Sequence, residues 1–331
     1  MSLITILTNL PVLMFLIFNI PAAIAFAIAI GKRIFPKAKS SSNEEPKVSI
    51  LITSWKEGKK IKKCLDSVVN QNYPRQKREI IVVAGGDPES VEVCRKFQER
   101  GLINFFHEKK MRPKSEKLNF MVGRAKYEWI AFIDADCTAK KEWLKTLVSK
   151  KDEGDILTTP FIFKKGNGFF DKVLYITTQY FTFINVNLAK VFNLGYFFGI
   201  NALMKKSIFE KIKFKKSFVE DFLFSVEAIK RGMKVKVIDK FLVTQAKPKT
   251  FSELRKIYLK HTQGFLSDIL PKGNQLAIFY MLLLILSVLG LPFTYFSIKN
   301  GGAIFIAISL ANFLFIFATL LLVSKKEGKL S

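Results

Sequence analysis

Apolar and polar positions follow two different rhythms along this chain. Three uncharged apolar runs stand out, at residues 2–30, 275–298 and 302–323. At about 20 residues per span, each predicts a membrane-crossing helix. The last two, separated only around Lys299 and Asn300, predict a helical hairpin. Between the first run and the hairpin the pattern shortens. VSILIT (48–53), EIIVVA (79–84), INFF (103–106) and WIAFI (129–133) are brief apolar runs bounded by polar residues, as expected of strands buried on both faces. Ile61, Cys64, Leu65, Val68 and Val69 recur at helical spacing, as do Val91, Cys94 and Phe97, then Leu118, Met121, Val122 and Ala125. Strands alternating with helices predict an α/β domain with a mostly parallel sheet.

These patterns divide the chain into a transmembrane anchor (1–31), a basic linker (32–46) and an α/β domain (47–248). An amphipathic segment (249–274), the helix hairpin (275–323) and a basic tail (324–331) follow. Residues 166–198, rich in Phe and Tyr, read as interfacial, as does 249–271. Basic residues follow the first apolar run at Lys32, Arg33, Lys37 and Lys39. That order favours a retained anchor over a cleaved signal. It also predicts the N-terminus outside and the α/β domain in the cytoplasm, as a multi-pass protein of a prokaryotic plasma membrane.

Composition sharpens this reading. A net charge of +26 on a chain that is 49% hydrophobic points to an anionic membrane surface rather than to nucleic acid. The three cysteines, Cys64, Cys94 and Cys137, lack metal-ligand spacing and read as reduced, buried thiols.

The candidate chemistry lies at the carboxyl ends of the strands, where ligands of parallel sheets bind. Thr53, Ser54 and Glu57 follow the first strand, Asp87 follows the second, and Asp134 and Asp136 follow the fourth. Two carboxylates two apart on an extended chain share one side. Their repulsion is relieved by a hard divalent cation such as Mg²⁺ or Mn²⁺.

Several motifs in order resemble the family 2 glycosyltransferases. VSILITSWKEGKKIKKCLDSVVNQNYP resembles that family's first strand and helix, and EIIVVAGGDPES its second strand and nucleotide loop. RPKSEKLNFMVGRAKYEWIAFIDADC resembles the lysine segment and DxD motif, FFGINALMKKSIFEKIKF the acceptor-side glycine motif, and VEDFLFSVEAIKRGMKVKV the motif carrying the base. The resemblance covers about residues 47–265. It implies a GT-A fold, here expected with one N-terminal and two C-terminal transmembrane helices plus interfacial helices. Departures accompany it: Ala84 and Gly85 stand where the family often has two Asp residues, Pro113 replaces a glycine, and Val219 replaces a Thr.

By residue, the resemblance implies Asp221 as general base with Glu220 beside it, Asp136 and Asp134 as metal ligands, and Mg or Mn as cofactor. Thr53, Ser54, Glu57, Asp87, Lys114, Asp134, Lys260 and His261 are expected to bind the nucleotide sugar, and Gly199 and Asn201 to face the acceptor. The implied enzyme is a metal-dependent, inverting hexosyltransferase that takes a sugar from a nucleotide-diphosphate donor, UDP- ahead of GDP-. The expected acceptor is a membrane lipid. A short-chain saccharide synthase, a polyprenyl-phosphate glycosyltransferase and an inactive lipid-binding scaffold are the other readings, and a homo-oligomer stays open.

Overall fold

The computed structural model describes residues 44–168 and 199–269, with scattered positions between 170 and 186. The chain divides into two compact units. One, Lys39–Gly166 with Asn193–Asn274, holds every strand named below. The other takes Met1–Ala38, Asn167–Phe192 and Gln275–Ser331. Its described residues are mostly helical positions, such as Thr178, whose hydroxyl donates to the Leu174 carbonyl at 2.7 Å.

The first unit begins as the apolar pattern predicts. Strands β1 (Val48–Trp55), β2 (Arg78–Gly85), β3 (Asn104–Glu108) and β4 (Trp129–Ile133) alternate with helices α1 (Lys60–Val69), α2 (Pro88–Glu99) and α3 (Lys114–Arg124). The four strands are parallel and lie in the order β3-β2-β1-β4. β1 feeds β2 and then β3 on one side, while β4 returns to its other side. That reversal opens a crevice beyond the carboxyl ends of β1 and β4.

The sheet continues through β8 (Asn201–Lys205), β6 (Ile156–Thr158) and β9 (Val235–Val237). β8 runs antiparallel to both β4 and β6. A second small sheet joins β5 (Cys137–Ala139), β10 (Val243–Gln245) and β7 (Phe161–Phe163). Helices α4 (Trp143–Val148), α5 (Ile208–Lys211), α6 (Glu220–Lys230) and α7 (Phe251–Gly264) complete the unit, followed by a π-helical turn, Phe265–Ile269.

Each face of the main sheet has its own core. Val48, Ile50 and Ile52 of β1 pack with Ile61, Leu65 and Val68 of α1 and with Trp143 of α4. Leu51, on the opposite face, packs with Met121 of α3, Phe209 of α5 and Phe224 of α6. Phe214 and Phe224 stack there with centroids 4.4 Å apart. At roughly 1.5–3 kcal/mol for each large aliphatic or aromatic side chain fully buried, this two-sided burial explains why β1 has no polar alternation.

The expectation of transmembrane helices needs correction. Among the described residues no helix is long and apolar enough to cross a membrane. The longest, α7, has 14 residues and rises about 21 Å, short of the ~30 Å hydrocarbon layer. It also carries Glu253, Arg255, Lys256 and Lys260. Over the described residues the fold is therefore an α/β domain with no helix able to cross a membrane, and the multi-pass plasma-membrane placement loses its support. The three apolar runs that suggested it, 2–30, 275–298 and 302–323, lie outside the described residues, as does most of 166–198.

Asn201, expected on the acceptor side, is fully buried and staples β8 to its surroundings. Its Oδ1 accepts from Trp143 Nε1 at 3.3 Å and from the Thr159 hydroxyl at 2.9 Å, and its Nδ2 donates to the Thr159 carbonyl at 3.0 Å. Asn201→Ala strands those groups without water. It should cost about 2–4 kcal/mol, the sum of two or three unsatisfied buried groups, read as a lower midpoint in urea unfolding.

Candidate active site

The crevice at the β1/β4 switch point gathers charge from four elements. β4 ends at Ile133, and the chain then turns: the Asp134 amide donates to the Ile200 carbonyl at 3.0 Å, and the Cys137 amide to the Asp134 carbonyl at 3.1 Å. Asp134 and Asp136 thus stand in a tight turn around buried Ala135, not on an extended chain. From the start of α3, Lys114 Nζ reaches Asp134, 2.7 Å from Oδ1 and 2.9 Å from Oδ2. The same ammonium lies 3.3 Å from the Gly199 carbonyl and 3.7 Å from Glu220 Oε1. One lysine therefore ties the β4 turn to the first residue of α6.

Burial opposes the charge on Lys114, but Asp134, Glu220 and Asp221 outweigh it and hold the ammonium well above its ordinary value. Burial pushes the Glu220 carboxyl up; Lys114 opposes that rise and Asp221 adds to it. Asp221, next along α6, packs against Gly199, where any Cβ would overlap its carboxylate. Only glycine lets the chain before β8 approach that acid so closely. Lys260 and His261 of α7 are electrostatically coupled to Glu220, and Gly264 seats α7 against Val219 and Phe218.

Asp136 lies apart from the lysine. Its Oδ2 accepts from Gln245 Nε2 of β10 at 3.1 Å, and its carbonyl accepts from the Ala246 amide at 2.9 Å. Burial, then the charges of Asp134 and Glu57, push its carboxyl up to about 6. Negative charge is thus in excess at this point of the crevice. Adjacent Cys137 is kept a neutral thiol by burial and by the same two aspartates, so the available donors are hard oxygens. Among the described residues no three His, Cys, Asp or Glu groups are arranged to hold a metal ion. The carboxylates of Asp134 and Asp136 are hard oxygen donors, the kind a divalent cation such as Mg²⁺ or Mn²⁺ takes.

The other predicted residues fall around the rim. Thr53 and Ser54 are buried at the end of β1, and the Ser54 hydroxyl has no hydrogen-bond partner. Glu57 pairs with Lys60 at 3.2 Å and acts on Asp136 through its charge. Asp87 caps α2, accepting from the Ser90 amide and hydroxyl at 2.7 Å each. Burial works against its charge, but those bonds win and lower its pKa. Two residues were not singled out from sequence: Gln245, which holds Asp136, and Trp55, the last residue of β1. Each is a strand end, and only the strand register places it near the crevice.

Removing the shared counter-ion should expose its role. Lys114→Met leaves Asp134 and Glu220 as unneutralised neighbours. The expected loss is about 1–3 kcal/mol at pH 7, given partial exposure of the pair. It should shrink as pH falls and Glu220, whose carboxyl burial pushes up, takes up its proton. Urea unfolding across an acid pH series checks this.

The described architecture agrees with comparisons to known proteins. The family described as Glycosyl transferase family 2 matches residues 49–213. Glycosyltransferase AglE of Haloferax volcanii is 30% identical over 106 residues, which are 31% of this chain and 35% of that protein. The poly(ribitol-phosphate) beta-N-acetylglucosaminyltransferase TarP of Staphylococcus aureus is 26% identical over 193 residues, 55% of this chain and 57% of that protein. The chain thus spans about a third of the first relative and under three fifths of the second. The mannosyltransferase PcManGT of Pyrobaculum calidifontis, solved with GDP-Man and Mn²⁺, shares the fold with a TM-score of 0.58 at 18% identity, over 93% of this chain and 98% of that one. With the matched domain spanning β1 to the end of α5 and ordered as the motifs predict, the chain belongs to glycosyl transferase family 2.

Proposed function

We propose that this protein transfers a sugar from a nucleoside-diphosphate donor to a hydroxyl acceptor with inversion at the anomeric carbon. The observation that carries the reading is the Lys114 bridge, which brings the Asp134–Asp136 turn and the Glu220–Asp221 helix start to one crevice. A donor diphosphate on the turn side and an acceptor on the α6 side would then meet across it. Relatives whose names include glycosyltransferase activities, and a fold neighbour solved with GDP-Man and Mn²⁺, support the same class.

Asp221 is the general base of this reading. Glu220 is nearly shut from solvent and engaged with Lys114, whereas Asp221 is half-buried against Gly199. The acceptor oxygen bonds to C1, its proton passes to Asp221, and the C1–O bond to the diphosphate breaks with its electron pair leaving on the diphosphate. Lys114 can turn from Asp134 to that growing negative charge. Asp136, with Asp134, would hold a divalent cation, which when bound supplies further neutralisation of the diphosphate oxygens.

The acceptor in this reading is a lipid-borne hydroxyl. Apolar side chains open to solvent support it: Phe218, ahead of the base, and Ile257, Leu259 and Leu266, on α7 and the turn after it. Such a rim suits an acceptor with an apolar portion beside its reacting group. Transfer to soluble saccharides as fast as to detergent-dispersed glycolipids would remove this part of the reading.

The base assignment is tested by Asp221→Asn, which keeps size but cannot take a proton. Transfer should fall about 10²–10⁴-fold while nucleotide affinity stays near wild type; Glu220→Gln should hurt less. Wild-type transfer by Asp221→Asn, or loss of its nucleotide binding, moves the role elsewhere.

The cation site gives a pH prediction. Because the Asp136 carboxyl is pushed up to about 6, protons compete with a cation below that pH. Mn²⁺-dependent nucleotide binding should weaken as pH falls from 7 to 5, and Asp136→Asn should abolish both the Mn²⁺ dependence and its pH profile. Calorimetric titration at the two pH values decides it.

A further inference from the structure

A second constellation of charged groups stands on the α3 face of the sheet, away from the acids already described. The strand register sets Trp55 of β1 beside Gly85 of β2, and Gly85 beside Glu108 of β3. The three form one cross-strand row. No side chain fits at its middle, since a Cβ on Gly85 would overlap the Glu108 carbonyl. This explains physically why the row cannot carry an acid from β2. The neighbouring Gly86, at φ +87°, is equally confined: its Cβ would stand 2.7 Å from the Trp55 ring. Lys117, one turn into α3, lies over the same ring with Nζ 5.7 Å from its centroid.

Two of these groups are left incomplete. Glu108 is 4% exposed; its Oε1 accepts from the Arg112 amide at 2.7 Å, but its Oε2 is buried with no hydrogen-bond partner. Lys117 is also 4% exposed, and among the described residues its ammonium makes neither a hydrogen bond nor an ion pair, only the contact with the Trp55 ring. Burial lowers the pKa of Lys117, and Glu108 is the charge that counters that loss. A carboxylate oxygen withdrawn from water with no partner is costly to leave so, and the Lys117 ammonium is a charge that acts on that carboxylate. They stand beside an aromatic ring at the strand ends where a ligand of this fold sits.

We propose that Glu108 and Lys117 read the base of the nucleotide, selecting one that presents a ring N–H next to a ring carbonyl. The inference rests on the nucleotide-donor reading above. The N–H donates to Glu108 Oε2, the carbonyl accepts from Lys117, and Trp55 offers the apolar ring against which the base lies. Uracil and guanine both carry that edge. Cytosine and adenine do not, because each places a bare ring nitrogen where the N–H is needed and so sets a lone pair against the carboxylate. Glu108 on β3 thereby does the work that an acid at the end of β2 would do, from a position where a side chain fits.

The test is calorimetric binding of UDP, GDP, CDP and ADP to the full chain with Mn²⁺ present, for wild type, Glu108→Gln and Lys117→Met. Wild type should bind UDP, GDP or both at least tenfold more tightly than CDP and ADP, and the UDP and GDP arms tell which base the site takes. Glu108→Gln is isosteric and keeps an oxygen for the Arg112 amide, but its amide can donate to a bare ring nitrogen. It should lose about 10- to 100-fold for the preferred nucleotide, the range for a hydrogen bond to a charged group, and should gain affinity for CDP. Lys117→Met should weaken the preferred nucleotide without gaining CDP. Equal wild-type affinity for all four nucleotides, or an unchanged order of preference in both variants, overturns the base-reading role alone. Failure of all four to bind overturns it together with the donor reading.

Discussion

One ammonium group conditions the geometry of the whole crevice. Lys114 opens α3, and its charge is shared among Asp134 on the β4 turn, Glu220 on α6 and the carbonyl of Gly199 ahead of β8. Without it, carboxylates from opposite sides of the crevice would face one another across a partly desolvated gap, where repulsion is poorly screened. With it, the β4 turn, the chain ahead of β8 and the start of α6 are held together. The close packing of Gly199 on Asp221 follows from the same convergence, since the chain can pass so near the acid only where no Cβ intrudes.

Around that centre the fold separates two tasks. The parallel half, β3-β2-β1-β4, supplies the strand ends and the switch point. The antiparallel additions bring in the rest. β8 runs away from Gly199, and the small β5-β10-β7 sheet carries Gln245 to Asp136. Each face of the main sheet has its own core, and both cores draw on parallel and antiparallel strands alike, so the crevice is lined by polar groups on a rigid apolar base.

Most of the parallel half was legible in the sequence because β1, β2 and β4 are buried on both faces and read as nearly unbroken apolar runs, whereas β3 is a half-exposed edge strand. VSILIT, EIIVVA and WIAFI leave little choice of period, and α1 to α3 repeat their apolar positions at helical spacing. The three-residue strands β5, β6, β7, β9 and β10 were not legible, since three residues cannot establish a period. Asp134, Asp136, Lys114 and the Glu220–Asp221 pair were found through motif order, and the crevice brings them together. Asn201 was read from its motif as an acceptor-side residue, and its burial and bonds, which depend on tertiary packing, give it the work of a structural staple. Glu108, Lys117 and Gln245 gave no signal, because their meaning depends on which strands become neighbours. The apolar runs at both ends drew a membrane reading that no described helix supports.

The segment that follows β10 touches both sides of the crevice. Gln245 and Ala246 hold Asp136 through a side-chain and a main-chain bond. A few residues later α7 begins, carrying Lys260 and His261 toward Glu220 and seating Gly264 on Val219. A single short stretch of chain thus serves as a tie rod between the two ends of the site. Any ligand that shifts Asp136 must pull on α7, and any ligand that displaces α7 must act on Asp136. Thermodynamic reciprocity then makes the two affinities one shared quantity, so the two substrates of such a site cannot be tuned independently.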